Sequence, residues 1–264
     1  MLLLGYFLAA LVGISLGLIG GGGSILTVPI LVYVMGVNPV LATSYSLFIV
    51  GSTSLVGAVN NYRKGFVDIK TALLFGLSSV TTVFITRHFI MPAIPEVLIN
   101  TKYLHLTQSA ATMILFALLM LLASIAMIRG KKDAIHARTT SNKNEVIKLL
   151  WYGILIGLVT GFLGAGGGFL LIPALVIILK MPMKYAIGTS LLIIALNSLV
   201  GFTGDLGHFV LDWKLLFSLT IIAIIGIFIG GFLAKRIEGE QLKKAFGWFV
   251  LAMGIYIIIK EIFI

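Results

Sequence analysis

Windows of about 20 apolar residues, long enough to cross the hydrocarbon core of a bilayer as a helix, recur along the whole chain. Hydrophobic segments, several of them of that length, fall at 2–20, 25–36, 42–60, 69–90 and 107–128. After the polar stretch Arg129 to Lys148 they resume at 149–165, 169–180, 186–203, 213–235 and 242–262. Only 11% of the 264 residues are charged, where soluble domains carry about a quarter, and the mean hydropathy is +1.14. The chain reads as an all-α polytopic membrane protein. The N-terminal "MLLLGYFLAALVGIS" has neither a basic leader nor a small-residue cleavage site, so it is expected to stay in the mature protein. With no cysteine, disulfides and thiolate chemistry are excluded. The formal charge of +10 comes without a basic stripe interleaved with aromatics. It fits cytoplasmic loops rich in Lys and Arg, and nucleic acid is not an expected partner.

Two glycine clusters interrupt this apolar pattern. "GLIGGGGSILTVP" spans Gly17 to Pro29, and "GFLGAGGGFLLIP" spans Gly161 to Pro173. Glycine is the weakest helix former after proline, and lipid cannot satisfy the peptide groups that a broken helix exposes. The segments that follow, 25–36 and 169–180, have 12 residues each. At 1.5 Å per residue they reach about 18 Å, short of the roughly 30 Å core. The expected solution is a hairpin whose glycine turn sits inside the protein.

The clusters are part of a longer repeat. Gly17, Gly20, Gly22, Gly23 and Pro29 align with Gly161, Gly164, Gly166, Gly167 and Pro173. "ATS" (Ala42 to Ser44) then aligns with "GTS" (Gly188 to Ser190), "SLVG" (Ser54 to Gly57) recurs at Ser198 to Gly201, and "GFVDI" (Gly65 to Ile69) meets "HFVLDW" (His208 to Trp213). The organisation is a first repeat at 1–128, a cytoplasmic linker at 129–148 and a second repeat at 149–264. Because each half has an odd number of segments, the second half must insert upside down relative to the first. With the linker in the cytoplasm, 15 of the 19 Lys and Arg fall on the inner side and both termini lie outside.

In two inverted repeats the glycine turns approach each other from opposite faces, the plan by which secondary transporters place a site near the bilayer midplane. Gly20, Gly21, Gly22, Gly23 and Ser24, with Gly164, Gly166, Gly167 and Gly168, are therefore the candidate anion site. Their N–H groups would head short helices with the positive end of the dipole towards the ligand. Thr43, Ser44, Thr189 and Ser190 offer hydroxyls to an anion or cap the helices they begin. Asn197 is a further candidate, with helix–helix hydrogen bonding as its other role. For Gly13, Gly17, Gly153, Gly157 and Gly161, spaced four apart, close helix packing is expected.

These duplicated motifs resemble the TauE/SafE family of membrane transporters, also called the sulfite exporter family, and the similarity covers almost the whole chain. The resemblance implies a carrier of sulfur-containing anions such as sulfite, sulfonates or sulfoacetate. One departure within the duplicated pattern is Ser24 in the place of Gly168, which makes the two half-sites chemically unequal.

Charges deep in the segments are expected to be nearly absent. Arg87 falls to the outer side, Asp205 and Asp212 to a solvated outer loop, and Arg63 acts chiefly as a topology determinant. His88, His105, His136 and His208 are scattered and form no metal constellation, although His208 near Asp205 is a candidate pH sensor. No P-loop, dinucleotide fingerprint or His-Glu-x-x-His occurs. The expectation is a non-enzymatic secondary transporter of the cell membrane, without cofactor, metal or catalytic residues. Its partners are a small inorganic or organosulfur anion and the membrane lipids. An anion channel, a membrane-embedded enzyme on a sulfur or lipid substrate and a structural subunit are the alternatives. The oligomeric state is open.

Overall fold

The structure is a computed structural model that describes residues 2–101, 104–129, 143–164, 166–177, 179, 181–234 and 239–263. Among the described residues ten helical segments follow one another. α1 is Leu2–Ile19. α2 (21–34) is a composite of a 3-10 stretch, one α turn and a closing π turn. α3 is Pro39–Arg63. α4 (Ile69–Ala93) contains a π turn at Thr86–Ile90. A small antiparallel hairpin, β1 (Val97–Thr101) with β2 (Leu104–Thr107), leads into α5 (Gln108–Ile128). The remaining helices are α6 (Lys143–Leu163), α7 (Gly168–Ile177), α8 (Met183–Asp205), α9 (Trp213–Leu233) and α10 (Gly239–Phe263).

Among the described residues, five helices are long and apolar enough to cross a membrane: α3, α4, α5, α8 and α9. The protein is thus an all-α polytopic membrane protein with one small hairpin added. α6 begins at Lys143, within the stretch 129–148 read as a polar linker. Residues 130–142, including His136, lie outside the described residues.

Local sequence explains the helix starts. Asn38 caps α3, its side chain accepting from the Val40 N–H at 3.0 Å, with Pro39 at the first helical position. Asp68 caps α4 and Asp212 caps α9, accepting from the N–H groups of Thr71 and Leu215 at 3.2 and 3.1 Å. The two aspartates stand at matching places in the repeated "FVD" and "FVLDW" motifs. Replacing Asp212 with alanine is expected to cost about 1 kcal/mol, the ordinary value of an N-cap. A thermal-unfolding midpoint in detergent that does not move would count against the cap.

Packing is reciprocal between the two halves. α1 lies on α9 and α4 lies on α6; α3 meets α9 as α8 meets α4; α3 crosses α8, α5 pairs with α10, and α2 abuts α7. α3 and α8 are the most enclosed. The outer faces of α4 and α9 expose Leu73, Leu77, Phe217, Ile221 and Ile225, apolar surface suited to lipid. Glycines let the helix pairs approach. A Cβ on Gly13 or Gly17 would run into the α9 backbone at Ala223 and Ile227. One on Gly153, Gly157 or Gly161 would meet α4 at Ser78, Ser79 and Thr86. The small-residue packing expected for these five positions is what the helices use.

Candidate functional site

α1 ends at Ile19 and α6 at Leu163, and the next residue in each case, Gly20 or Gly164, turns the chain with φ of +77° and +65°. Only glycine takes that backbone region without strain. The two breaks occupy equivalent places in the repeat. Beyond them the turns meet each other directly. A Cβ added to Gly21 would strike the backbone of Gly168, and one added to Gly168 would strike Gly21. Gly166 faces Ser198 and Gly167 faces Thr160, while Gly164 sits on the main chain of Thr43. α2 and α7 are thereby brought tip to tip between α3 and α8. Ser24 is buried, and its hydroxyl donates to the Gly21 carbonyl at 2.8 Å, so it tightens its own turn.

Beside the turns lies a buried polar belt. Thr53, Ser54, Asn197 and Ser198 are all fully enclosed. Thr53 and Ser54 are the repeat mates of Asn197 and Ser198. Asn197 Oδ1 accepts from Ser79 Oγ at 2.8 Å, whereas Asn197 Nδ2 and the hydroxyls of Thr53, Ser54 and Ser198 have no hydrogen-bond partner. Buried polar atoms are nearly always paired. Four orphans at two symmetry-related pairs of positions therefore mark a place where a polar ligand or water would be stabilised.

The other predicted hydroxyls are placed as follows. Thr189 Oγ1 accepts the Asp68 N–H at 2.9 Å, tying the start of α4 to α8. Ser190 donates to Ile187 within its own helix at 2.9 Å. Thr43 donates to the Val40 carbonyl at 2.7 Å and accepts from Arg87 Nη1 at 3.0 Å. Ser44 is buried next to it on α3.

A cavity of about 500 Å³ opens where α3 ends and α8 begins. Gly17, Leu18, Asn60, Asn61, Lys64 and Lys184 line it. Ile187, also on its wall, packs against Gly20, so the cavity backs onto the first glycine turn. Lys184 lies over the Phe66 ring at 5.8 Å, a cation–π placement that holds a positive charge at the mouth. In the sequence Lys64 and Lys184 enter only among the 15 inner-side Lys and Arg, and no local signal sets them apart, because the cavity walls come from four separate helices.

Two expectations are overturned near the other end of α8. Asp205 is not in a solvated loop; it is the last residue of α8 and only 3% exposed. Arg87 is not an exposed outer charge; it lies in the π turn of α4 and is 1% exposed. Arg87 Nη1 reaches Asp205 Oδ2 at 3.2 Å. A hydrogen-bonded Arg–Asp pair inside the helix bundle replaces the expected absence of deep ionisable groups, because α4 continues to Ala93 and buries what the apolar window placed near its edge. His88 and His208 are not scattered either, since their rings meet edge to face with centroids 5.8 Å apart. Among the described residues no three metal-ligating side chains cluster.

Comparison with known proteins adds the following. Residues 5–257 match the family described as "Sulfite exporter TauE/SafE". A "Probable membrane transporter protein" of Xylella fastidiosa strain 9a5c is 34% identical over 252 residues, covering 94% of this chain and 91% of that protein. The "Probable membrane transporter protein YdhB" of Bacillus subtilis is 27% identical, covering 89% and 91%. A relative of the same description in Haemophilus influenzae is 26% identical, covering 98% of each. No solved structure matches the chain.

Proposed function

The chain belongs to the sulfite exporter TauE/SafE family, a membrane transporter and not an enzyme, and from that premise we propose that it is a secondary carrier of small sulfur-containing anions. It works by alternating access between two inverted five-helix repeats, α1–α5 and α6–α10. What supports the inverted arrangement is the reciprocal packing of the main helix pairs, α1 on α9 matched by α6 on α4, and α3 on α9 matched by α8 on α4. The odd number of segments in each half and the distribution of Lys and Arg support it as well.

The observation that carries the reading is the meeting of two glycine turns behind a cavity whose mouth holds two lysines. Irregular backbone at membrane depth is tolerated where it borders protein or a solvated path. The orphaned groups of Thr53, Ser54, Asn197 and Ser198 supply donors beside that path. In this arrangement the cavity is the cytoplasmic vestibule. The other end of α8, which carries the buried Asp205, is enclosed. Rocking of one repeat against the other would carry the site from one side to the other.

Uptake of radiolabelled sulfite by proteoliposomes tests the reading, with sulfonates, sulfate and chloride as competitors. Saturable flux blocked by one sulfur anion is expected. Flux of no anion under an imposed proton or sodium gradient would sink it. Ohmic unitary currents would replace the carrier by a channel, and altered product chemistry would replace it by an enzyme. The vestibule makes a narrower prediction. Lys64→Gln with Lys184→Gln should raise the cytoplasmic-side KM by about tenfold at low salt, with little change in maximal rate, because screened surface charge steers encounter rather than turnover. An unchanged KM would take the cavity off the substrate path.

A further inference from the structure

The Arg87–Asp205 pair is an incomplete one. A guanidinium carries five N–H donors in a planar fork. Arg87 spends only Nη1, on Thr43 and Asp205, while Nε and Nη2 are buried with no hydrogen-bond partner. Three donors of an enclosed cation are thus unpaired, two of them parallel along the Nε–Nη2 edge. Leaving such donors unmatched in an apolar interior is costly, and a sequence selected for stability alone would fill them. The edge has the geometry that binds carboxylate, sulfonate or phosphate oxygens two at a time.

Its position links it to the glycine turns. Thr43, which accepts from Arg87, packs its main chain on Gly164. Gly204 of α8 meets the Arg87 stem, and Gly161 of α6 meets the adjoining Thr86. Arg87 itself lies in a π turn, an interruption of regular helix that recurs at functional sites.

We propose that Arg87 is the charged ligand of the transported anion and that Asp205 takes up a proton as the anion binds, so that one proton travels with each monovalent anion. This deepens the carrier reading and rests on it. In the empty site Arg87⁺ and Asp205⁻ neutralise each other. When an oxyanion occupies the Nε–Nη2 edge, a second negative charge enters the enclosure. A proton from the aqueous phase to which the site is open then binds an Asp205 carboxylate oxygen. The loaded site holds Arg87⁺, a neutral Asp205 and the anion. Both the empty and the loaded site are electrically neutral, so neither conformational change carries an uncompensated charge through a low-dielectric interior. A site that loaded the anion alone would carry one.

Other titratable groups face this pair. His208, in the loop after α8, donates its main-chain N–H to the Asp205 carbonyl at 3.1 Å. His88 follows Arg87 on α4 and places Nδ1 at 3.4 Å from the Gly204 carbonyl. Among the described residues, α3 contributes the hydroxyls of Thr43 and Ser44, and α6 contributes Gly161. The two histidines are the competing proton acceptors, so the test must separate them from Asp205.

The probes are methanesulfonate and isethionate, with chloride and nitrate for comparison; all keep a fixed charge between about pH 6 and pH 8. Purified full-length protein in weak buffer with an indicator dye should take up about one proton per sulfonate bound. Its thermal stabilisation by sulfonate should weaken with rising pH, by up to about tenfold in apparent Kd per pH unit. Asp205→Asn should bind at both pH values with no proton uptake. Arg87→Gln should lose the stabilisation, and His88→Gln with His208→Gln should keep both effects. Sulfonate binding to wild type without proton uptake, or pH dependence lost in the histidine variant and kept in Asp205→Asn, would overturn the coupling and leave the carrier reading intact. Wild-type affinity in Arg87→Gln would overturn the assignment of Arg87. Stabilisation of the wild type by no anion would overturn this inference and the anion reading together.

Discussion

Replacing Arg87 by methionine will lower the stability of the protein by about 3–5 kcal/mol, the usual penalty for stranding one member of a buried ion pair. Asp205 would keep almost no exposure with its cationic partner replaced by an apolar chain, and would have to stay buried unpaired or take up a proton. The double variant Arg87→Met with Asp205→Leu should recover most of that loss, because removing both charges also removes both desolvation penalties. Thermal unfolding in detergent reads both values. Equal destabilisation by the single and double changes would mean that the two side chains do not act as a pair. Neither variant should transport, so recovered stability without recovered flux would separate the structural value of the pair from its use.

Alanine at Gly21 or Gly168 should have a comparably large effect, for a steric reason. Each added Cβ would collide with the backbone of the opposite turn, which cannot escape by rotating a side chain. Overpacking of this kind typically costs about 1–3 kcal/mol. Falling on the contact between the two halves, it should lower the transport rate by about tenfold or more in protein that still inserts and remains monodisperse. Gly76→Ala is the control. It is a helical glycine, and the nearest atom to its added Cβ is the Leu196 Cδ1 at 3.8 Å, an ordinary contact. That variant should transport normally. Wild-type transport by Gly168→Ala would mean that the turns do not need to meet.

Much of the architecture was legible in the residues. Each helical segment falls within a few residues of an apolar run, because bilayer thickness and helix rise set the length of a run locally. Gly20 and Gly164 break their helices where the repeat predicted. Asp68, present in the sequence only as part of a repeated motif, and Asp212, expected in a solvated outer loop, are N-caps. Their carboxylates serve the chain three residues on, a relation that needs no tertiary information.

The charged features were misread because their meaning is not local. Arg87 lies near the end of an apolar window and Asp205 just beyond one, and each alone resembles an ordinary boundary charge. A usable signal existed. Opposite charges stood near the same predicted membrane face, one on the fourth segment of the first half and one on the third of the second. An ionisable residue within a membrane segment is a functional candidate with a partner to be named. The lysine-lined cavity was hidden for the same reason, since its walls come from α1, α3, α8 and α9.

The sequence by itself determined the number of helices, the places where two of them break, the internal repeat and the family. All of these follow from lipid thickness, glycine's backbone freedom and matched motifs, and each acts over a few tens of residues. Tertiary structure alone decided which polar groups meet. The crossing of α4 over α8 brings Arg87 to Asp205 across 118 residues of chain. The close packing of glycine-bearing helices excludes the solvent that would otherwise separate them. Burial, and with it the strength of a charge or the cost of an unpaired donor, belongs to the packed bundle and to no segment of it.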